Sequence, residues 1–237
     1  MIAKLAAQKR RVEIVGHGAL RNAGRVARSD VVLSTAGLKG VTLYEPTEIV
    51  MSARAGTPVY EIESLLAARG QMLAFEPIDL GPATGAPGGA LSIGGVFSTN
   101  FSGSRRILAG SARDNLLGVR AVNGRGELFK SGGRVMKNVT GLDIARGLTG
   151  SWGTLAVMTE VTFKVAPLPQ TMLTLAYTGL PDDLAIEALT TTMATPLEVS
   201  GAVHLPKGSA ARLKQAKLKG IDQPVTLLRL ETFSAAI

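Results

Sequence analysis

The sequence contains no cysteine, which excludes disulfides, thiolate nucleophiles and Cys-ligated zinc or iron–sulfur clusters and fits a reducing compartment. Aromatic residues are scarce, at 4%, while 46% of residues are hydrophobic and 28 are glycine. The apolar mass is therefore aliphatic, and the chain must turn tightly or approach something closely at many points. Imidazole is limited to His17 and His204, so a histidine base has few sources. No apolar run approaches transmembrane length. The N-terminus meets Lys9-Arg10-Arg11 before any long apolar stretch, the wrong order for a secretory signal. No Walker phosphate loop is present either.

What is there begins with length and charge. A chain of 237 residues can form one large domain, or one domain with part of a second. The net charge of +8 admits nucleic acid, an anionic membrane surface, an acidic partner or an anionic ligand such as a dinucleotide. The cations are spread along the chain, with local groups at Lys9-Arg10-Arg11, Arg105-Arg106 and Lys214 to Lys219, and read mainly as solvated surface. Nucleic-acid binding would rest on this charge alone, without aromatic platforms or a known motif, and is not expected.

Residues 2–10 read as the tail of a helix whose beginning is absent. Short strands are expected at Val12 to Val15, Val31 to Ser34, Val41 to Tyr44 and Ile49 to Ala55. Thr57-Pro58 predicts an N-cap with proline at the first helical position, and the helix runs through Leu65, Leu66 and Ala67 to Gly70. From Glu76 to Gly95 the density of proline and glycine predicts one long loop of the functional kind. Leu116 to Val122 and Glu127 to Lys130 flank Asn123-Gly124-Arg125-Gly126, a hairpin signal. Thr154 to Val165 reads as a long strand closed by Pro167 and Pro169, which sets a domain boundary at residues 168/169. Residues 169–237 read as the start of a second α/β domain that stops without a closing element.

Two segments carry chemistry. The first is the strand ending in Gly16-His17-Gly18, followed by Ala19-Leu20. Glycines there permit a tight turn and close approach of backbone N–H groups to a phosphate. It is not a Rossmann fingerprint, because Arg21 replaces the third glycine and Asn22-Ala23-Gly24-Arg25 does not open a helix. The second segment is Ser92-Ile93-Gly94-Gly95, continuing to Ser98, Thr99, Asn100, Ser102 and Gly103. Small hydroxyl and amide groups beside a Gly-Gly step can donate to phosphate oxygens or to flavin ring atoms. Taken alone, each is also readable as an ordinary polar loop. Two of them in one chain, with strands between, argue for a nucleotide.

The order of these segments resembles the PCMH-type FAD domain of the vanillyl-alcohol-oxidase superfamily. The stretches that carry the resemblance are Val15 to Ala19, Leu91 to Gly95, Arg113-Asp114-Asn115-Leu116-Leu117-Gly118-Val119, Met136 to Asp143, and Gly150-Ser151-Trp152-Gly153-Thr154-Leu155-Ala156-Val157. They span residues 10–167 in the family's order. Arg54-Ala55-Gly56-Thr57-Pro58 and Gly70-Gln71-Met72-Leu73-Ala74-Phe75-Glu76-Pro77 look most like the glycolate oxidase E subunit family.

The resemblance implies an α+β fold: an FAD-binding domain over 1–168 made of two α/β subdomains, then the start of an α/β cap domain over 169–237. It implies that Gly16, His17, Gly18, Ala19 and Leu20, with Ser92, Ile93, Gly94, Gly95, Ser98, Thr99, Asn100, Ser102 and Gly103, hold the pyrophosphate. Asp114 would turn the chain under the cofactor, and Thr154, Leu155 and Val157 would meet the adenine or ribose. For Asp114 and Thr154 the plainer alternatives, a turn-capping aspartate and a strand threonine, stay open. His17 replaces the usual central glycine and Ala19 the usual hydroxyl residue; the histidine to which some relatives attach FAD lies about where Ala19 sits, so FAD is expected to be non-covalent, with His17 a bystander or hydrogen-bond donor. Leu142 stands for a common tyrosine and Trp152 for a common glutamate.

By the same resemblance the chain is an FAD-dependent oxidoreductase subunit acting on a small 2-hydroxy acid such as glycolate or D-lactate. Its partners would be flavoprotein and iron–sulfur subunits in the cytoplasm, with any attachment to the inner membrane made through them. Arg105, Arg106 and Lys137 are candidates to hold the substrate carboxylate, whereas His204 reads as a structural histidine and no catalytic base is identified. The alternative is a docking subunit that keeps the fold and binds no flavin, suggested by His17, Ala19 and Leu142.

Overall fold

The computed structural model describes residues 1–25, 28–86, 89, 91–134 and 142–232. Lys137 and most of the signature at 136–143 lie outside them. Two compact units result: Met1–Gly103 with Gly110–Leu168, and Ser104–Ala109 with Pro169–Ile237. The short piece Ser104–Ala109, which a cut at 168/169 would leave in the first unit, belongs with the second.

In the first unit β1 (Val12–Val15) and β2 (Val31–Ser34) pair in parallel, Val12 opposite Val31 and Val15 opposite Ser34. Arg11, just before β1, is tied to Asp30, just before β2. The Asp30 carboxylate accepts from the Arg11 guanidinium at 3.0 and 3.3 Å and from its backbone N–H at 2.8 Å. There follow β3 (Val41–Glu45), β4 (Val50–Arg54), β5 (Gln71–Met72), β6 (Leu116–Asn123), β7 (Leu128–Gly132), β8 (Ala156–Lys164) and β9 (Ala166–Pro167). Five of them lie side by side in the order β3-β4-β8-β6-β7, every neighbour antiparallel. A small pair, β5 with β9, is separate.

Central position explains composition. Strand β8 is flanked on both edges and reads AVMTEVTFK, apolar at successive positions because both faces are covered. Its buried polar residue is satisfied: Thr162 Oγ1 lies 2.8 Å from Ser52 Oγ of β4, both buried. Over this sheet the helix Val59–Ala67 buries Val59, Ile62 and Leu66, spaced at helical period. The helix Ile93–Thr99 buries Ile93, Gly94, Val96 and Phe97. Phe97 is the centre of the core, its ring centroid 5.6 Å from Phe75 and 5.5 Å from Phe163, all three fully buried.

Three local expectations change. The helix after Thr57 begins one residue later, with Pro58 as its N-cap, because the Thr57 hydroxyl donates to Arg54 O at 2.7 Å and accepts from Gly40 N at 2.9 Å. The segment from Glu76 to Gly95 is not one loop. It contains the helical turn Gly81–Thr84, and Gly94 and Gly95 lie inside the helix Ile93–Thr99. Glycine is required at 94 because a Cβ would stand 2.7 Å from the Ala55 carbonyl and side chain. The β6–β7 hairpin forms, but its positive φ falls on Gly126, while Asn123 Oδ1 accepts from the N–H groups of Arg125 and Glu127.

In the second unit β10 (Thr171–Thr178), β11 (Val199–Leu205) and β12 (Val225–Thr232) form an antiparallel sheet in the order β10-β12-β11. Between β10 and β11 runs the helix Asp182–Met193. The sheet packs a small cluster of Val199, Leu228 and Leu230. His204 is held by Thr226 Oγ1 at 2.8 Å and Asp182 Oδ1 at 3.0 Å, which fastens the start of that helix to the sheet.

Two outcomes are expected. Phe97→Ala should destabilise the chain by about 3–5 kcal/mol, measured by denaturant unfolding. The second concerns Asp30, whose carboxyl is held down at about 2, below the ordinary 3.8, by the Arg11 guanidinium and then by its backbone N–H. A lowered folded-state pKa contributes stability above the ordinary value that is lost as pH falls toward 2. The melting temperature of Asp30→Asn should therefore fall less than that of the wild type between pH 4 and pH 2.

Candidate functional site

Strand β1 stops at Val15, and the chain then turns through Gly16 to Leu20 against the start of the helix Ile93–Thr99. A cavity of about 370 Å³ lies in the first unit at this junction. Its wall comes from β1, the turn after it, Thr35, Ala55, the helix start and the segment Trp152 to Met158. Gly16 has no room for a side chain, since a Cβ would run into Ser92 Oγ. Ser92 in turn caps the helix by accepting from Gly95 N at 3.3 Å.

The backbone N–H groups of His17, Gly18, Ala19 and Leu20 make no hydrogen bond among the described residues. Four consecutive open donors around a glycine turn form a concavity for an anion. The His17 ring stands 2.8 Å from Gly56 O, and a carbonyl only accepts, so Nε2 carries the proton and donates. This bond pins the turn to the chain after β4.

Charge in the cavity wall is nearly balanced. Glu13 is engaged by Arg21 through two contacts of 3.0 Å, leaving Arg25 without an ion pair among the described residues. The local excess is thus positive and suits a diphosphate. Ser98 adds a hydroxyl with no partner among the described residues, whereas Thr99 Oγ1 is spent on Gly95 O at 2.9 Å.

Of the residues singled out by sequence, Gly16, His17, Gly18, Ala19, Leu20, Ser92, Gly94, Gly95, Ser98, Thr99, Thr154 and Val157 line this cavity. Six do not. Ile93 is fully buried in the core and Leu155 is 62% exposed. Asn100 Oδ1 caps the next segment by accepting from Arg113 N at 2.9 Å, and Ser102 Oγ accepts from Ala112 N at 2.9 Å. Gly103 donates to the carbonyls of Phe75 and Glu76. Asp114 forms a capping box with Ser111, whose hydroxyl and N–H hold its carboxyl below the ordinary value. Its side chain therefore has a local, structural use.

The proposed carboxylate clamps fare differently. Arg105 is buried and ion-paired with Glu231 in the second unit, where Arg229 also meets Glu231 at 3.3 Å. Its charge is committed to a structural pair, which sequence spacing could not reveal. Arg106 is exposed, and Lys137 falls outside the described residues. Sequence reasoning missed Glu13, Arg21, Arg25 and Thr35 as cavity residues because nothing in their spacing marks them. Trp152 carried a signal, as an aromatic where the family has an acid. Among the described residues, no group of three or more His, Asp or Glu side chains could hold a metal ion.

Comparison with known proteins agrees with this geometry. Residues 1–132 match the FAD binding domain family, and the chain belongs to that family. Among its relatives is the glycolate oxidase subunit GlcE of Escherichia coli strain K12, 37% identical over 176 residues, which cover 74% of this chain and 48% of that protein. Another is the mitochondrial D-lactate dehydrogenase [cytochrome] of Arabidopsis thaliana, 30% identical over 154 residues, covering 65% and 26%. The glycolate oxidase subunit GlcD of Bacillus subtilis strain 168 is 34% identical over 143 residues, covering 60% and 27%. Two structures of alkyldihydroxyacetonephosphate synthase share the fold, with TM-scores of 0.72 and 0.75 at 17% and 18% identity, over 100% and 99% of this chain and 48% and 45% of theirs. The chain spans about half the length of these relatives, or less. The α+β fold is therefore that of the family, and the N–H groups and Arg25, without partners among the described residues, fit FAD.

The close approach at Gly16 is testable by a double-mutant cycle. Gly16→Ala should cost about 1–3 kcal/mol through overpacking against Ser92. Ser92→Ala should cost about 1 kcal/mol through loss of the cap. In urea unfolding the double variant should be less destabilised than the sum of the two, since removing the hydroxyl clears the clash.

Proposed function

We propose that this chain is the FAD-holding part of an oxidoreductase acting on a small 2-hydroxy acid, glycolate or D-lactate, within a multi-subunit complex. The observation that carries the reading is the Gly16–Leu20 turn: four backbone donors without a partner among the described residues, braced by His17, in the lining of a cavity that Arg25 also lines, in an FAD binding domain. The turn would hold the diphosphate, with the Ser98 hydroxyl adding a donor. Loss of a side-chain hydroxyl at Ala19 leaves the backbone donors in place. Nε2 of His17 is committed to Gly56, so its role is to position the turn; in our reading FAD is held without a covalent bond, Ala19 offering no group for attachment. A bound flavin supplies the hydride acceptor for oxidation of an alcohol.

The names of the relatives, a glycolate oxidase subunit and a D-lactate dehydrogenase, support the substrate class. The word subunit in the names of two relatives supports a multi-subunit complex; in our reading its other members are a flavoprotein and an iron–sulfur subunit, since this chain has no cysteine to hold a cluster. Residues 1–168, apart from Ser104–Ala109, would form the FAD-binding domain, and 169–237 with that short piece would be part of a cap domain. Location in the cytoplasm, with membrane contact only through partners, is consistent with the lack of any helix among the described residues long and apolar enough to span a bilayer.

An absorbance spectrum tests the proposal. The purified chain should carry flavin that acid releases as free FAD, and in the assembled complex glycolate or D-lactate should bleach it. A chain that stays colourless with excess FAD, and shows no thermal shift, would overturn the reading in favour of a docking subunit.

A further inference from the structure

Trp152 is the single tryptophan of the chain, and its placement is costly. It has φ of 56°, a left-handed conformation unfavourable for a bulky L-residue. Its N–H donates to Ser98 O at 2.8 Å, so the conformation is held from the cavity-lining helix Ile93–Thr99. The ring of Phe101 meets the indole at 89°, with centroids 5.6 Å apart. This perpendicular contact leaves the indole largely uncovered, the residue being 48% exposed. It lines the cavity beside Gly153 and Thr154.

Core packing does not account for this, because a half-exposed indole gains little burial to offset its backbone. Stacking does. An indole fixed at the wall of a dinucleotide cavity, half exposed and held by its edge-type contact with Phe101, offers an aromatic surface to a flat heterocycle. We propose that Trp152 is the stacking wall for a ring system of the bound dinucleotide, either its adenine or its isoalloxazine. This rests on the FAD-binding reading above and assigns that site its aromatic contact.

The test uses the intact chain. Titration with FAD should quench the intrinsic tryptophan fluorescence, corrected for light absorbed by the ligand. Separate titrations of wild type and Trp152→Asn with ADP and FMN assign the stacked ring, since the half that stacks is the one whose affinity falls with the ring removed. Asn tolerates the left-handed region, so Trp152→Asn removes the ring without adding strain. It should weaken FAD binding about tenfold, while Trp152→Phe stays within about threefold of wild type. Should the Asn variant not fold, Trp152→Leu against Trp152→Phe gives the same comparison of bulk without and with an aromatic ring. Flavin binding with unquenched fluorescence, and with wild-type affinity in the ring-less variant, overturns the assignment and leaves the FAD site standing. Absence of FAD binding by the wild type overturns both.

Discussion

Ala55, Gly56 and Thr57 form the junction on which the first unit depends. Within these three residues the Ala55 N–H donates to Thr159 O of β8, the Ala55 carbonyl accepts from Gly94 N, and the Gly56 N–H donates to Leu38 O. The Gly56 carbonyl accepts from His17, and the Thr57 carbonyl from Ile93 N. Five separated pieces of chain are thus joined by backbone groups with almost no side chain between them. Only small residues allow it: a Cβ on Gly56 would run into Thr35 O and stand 2.9 Å from the carbonyls of Ala36 and Leu38. Buried backbone groups must be paired, and here the pairing itself sets the position of the turn at Gly16 relative to the helix that faces it. The cavity is the space left between them.

A site built from backbone donors tolerates changes in side chain that a site built from side chains would not. This is why His17 and Ala19, atypical for the family, do not weigh against FAD. Neither substitution removes an N–H, and His17 adds a brace through Gly56. The same logic explains the plain role of Asp114. Its carboxylate is consumed by Ser111, three residues earlier, and what it contributes is the shape of a turn rather than a contact.

Sequence revealed what depends on local pattern and missed what depends on distant partners. Strands β1, β2 and β4, the β6–β7 hairpin and the order of the family segments were legible because alternation, turn residues and glycine spacing act over a few positions. Thr57 was misplaced as a cap because its hydroxyl is taken by Gly40, seventeen residues back in the chain. The helix at Ile93 was hidden by Gly94 and Gly95; Gly94 answers to Ala55 rather than to helix propensity, and a Cβ on Gly95 would stand 3.2 Å from Ser92 Oγ. Arg105 looked like a free cation until Glu231 was found beside it, 126 residues away. No single-sequence rule supplies such a pairing, and burying one arginine without its glutamate would leave an uncompensated charge.

Electrostatics within the cavity show why net charge was a poor guide. The total of +8 is set by residues scattered over the surface, and salt screens them beyond about 8–10 Å. What a diphosphate would meet is decided by three side chains. Glu13 alone would repel it, but Arg21 closes on that carboxylate through two contacts, and the remaining sign is set by Arg25. Neutralising Glu13 is therefore as important to an anion site as supplying Arg25. An exposed arginine contributes little in open solvent but more at a partly enclosed wall, which it shares with four backbone N–H groups that have no partner among the described residues.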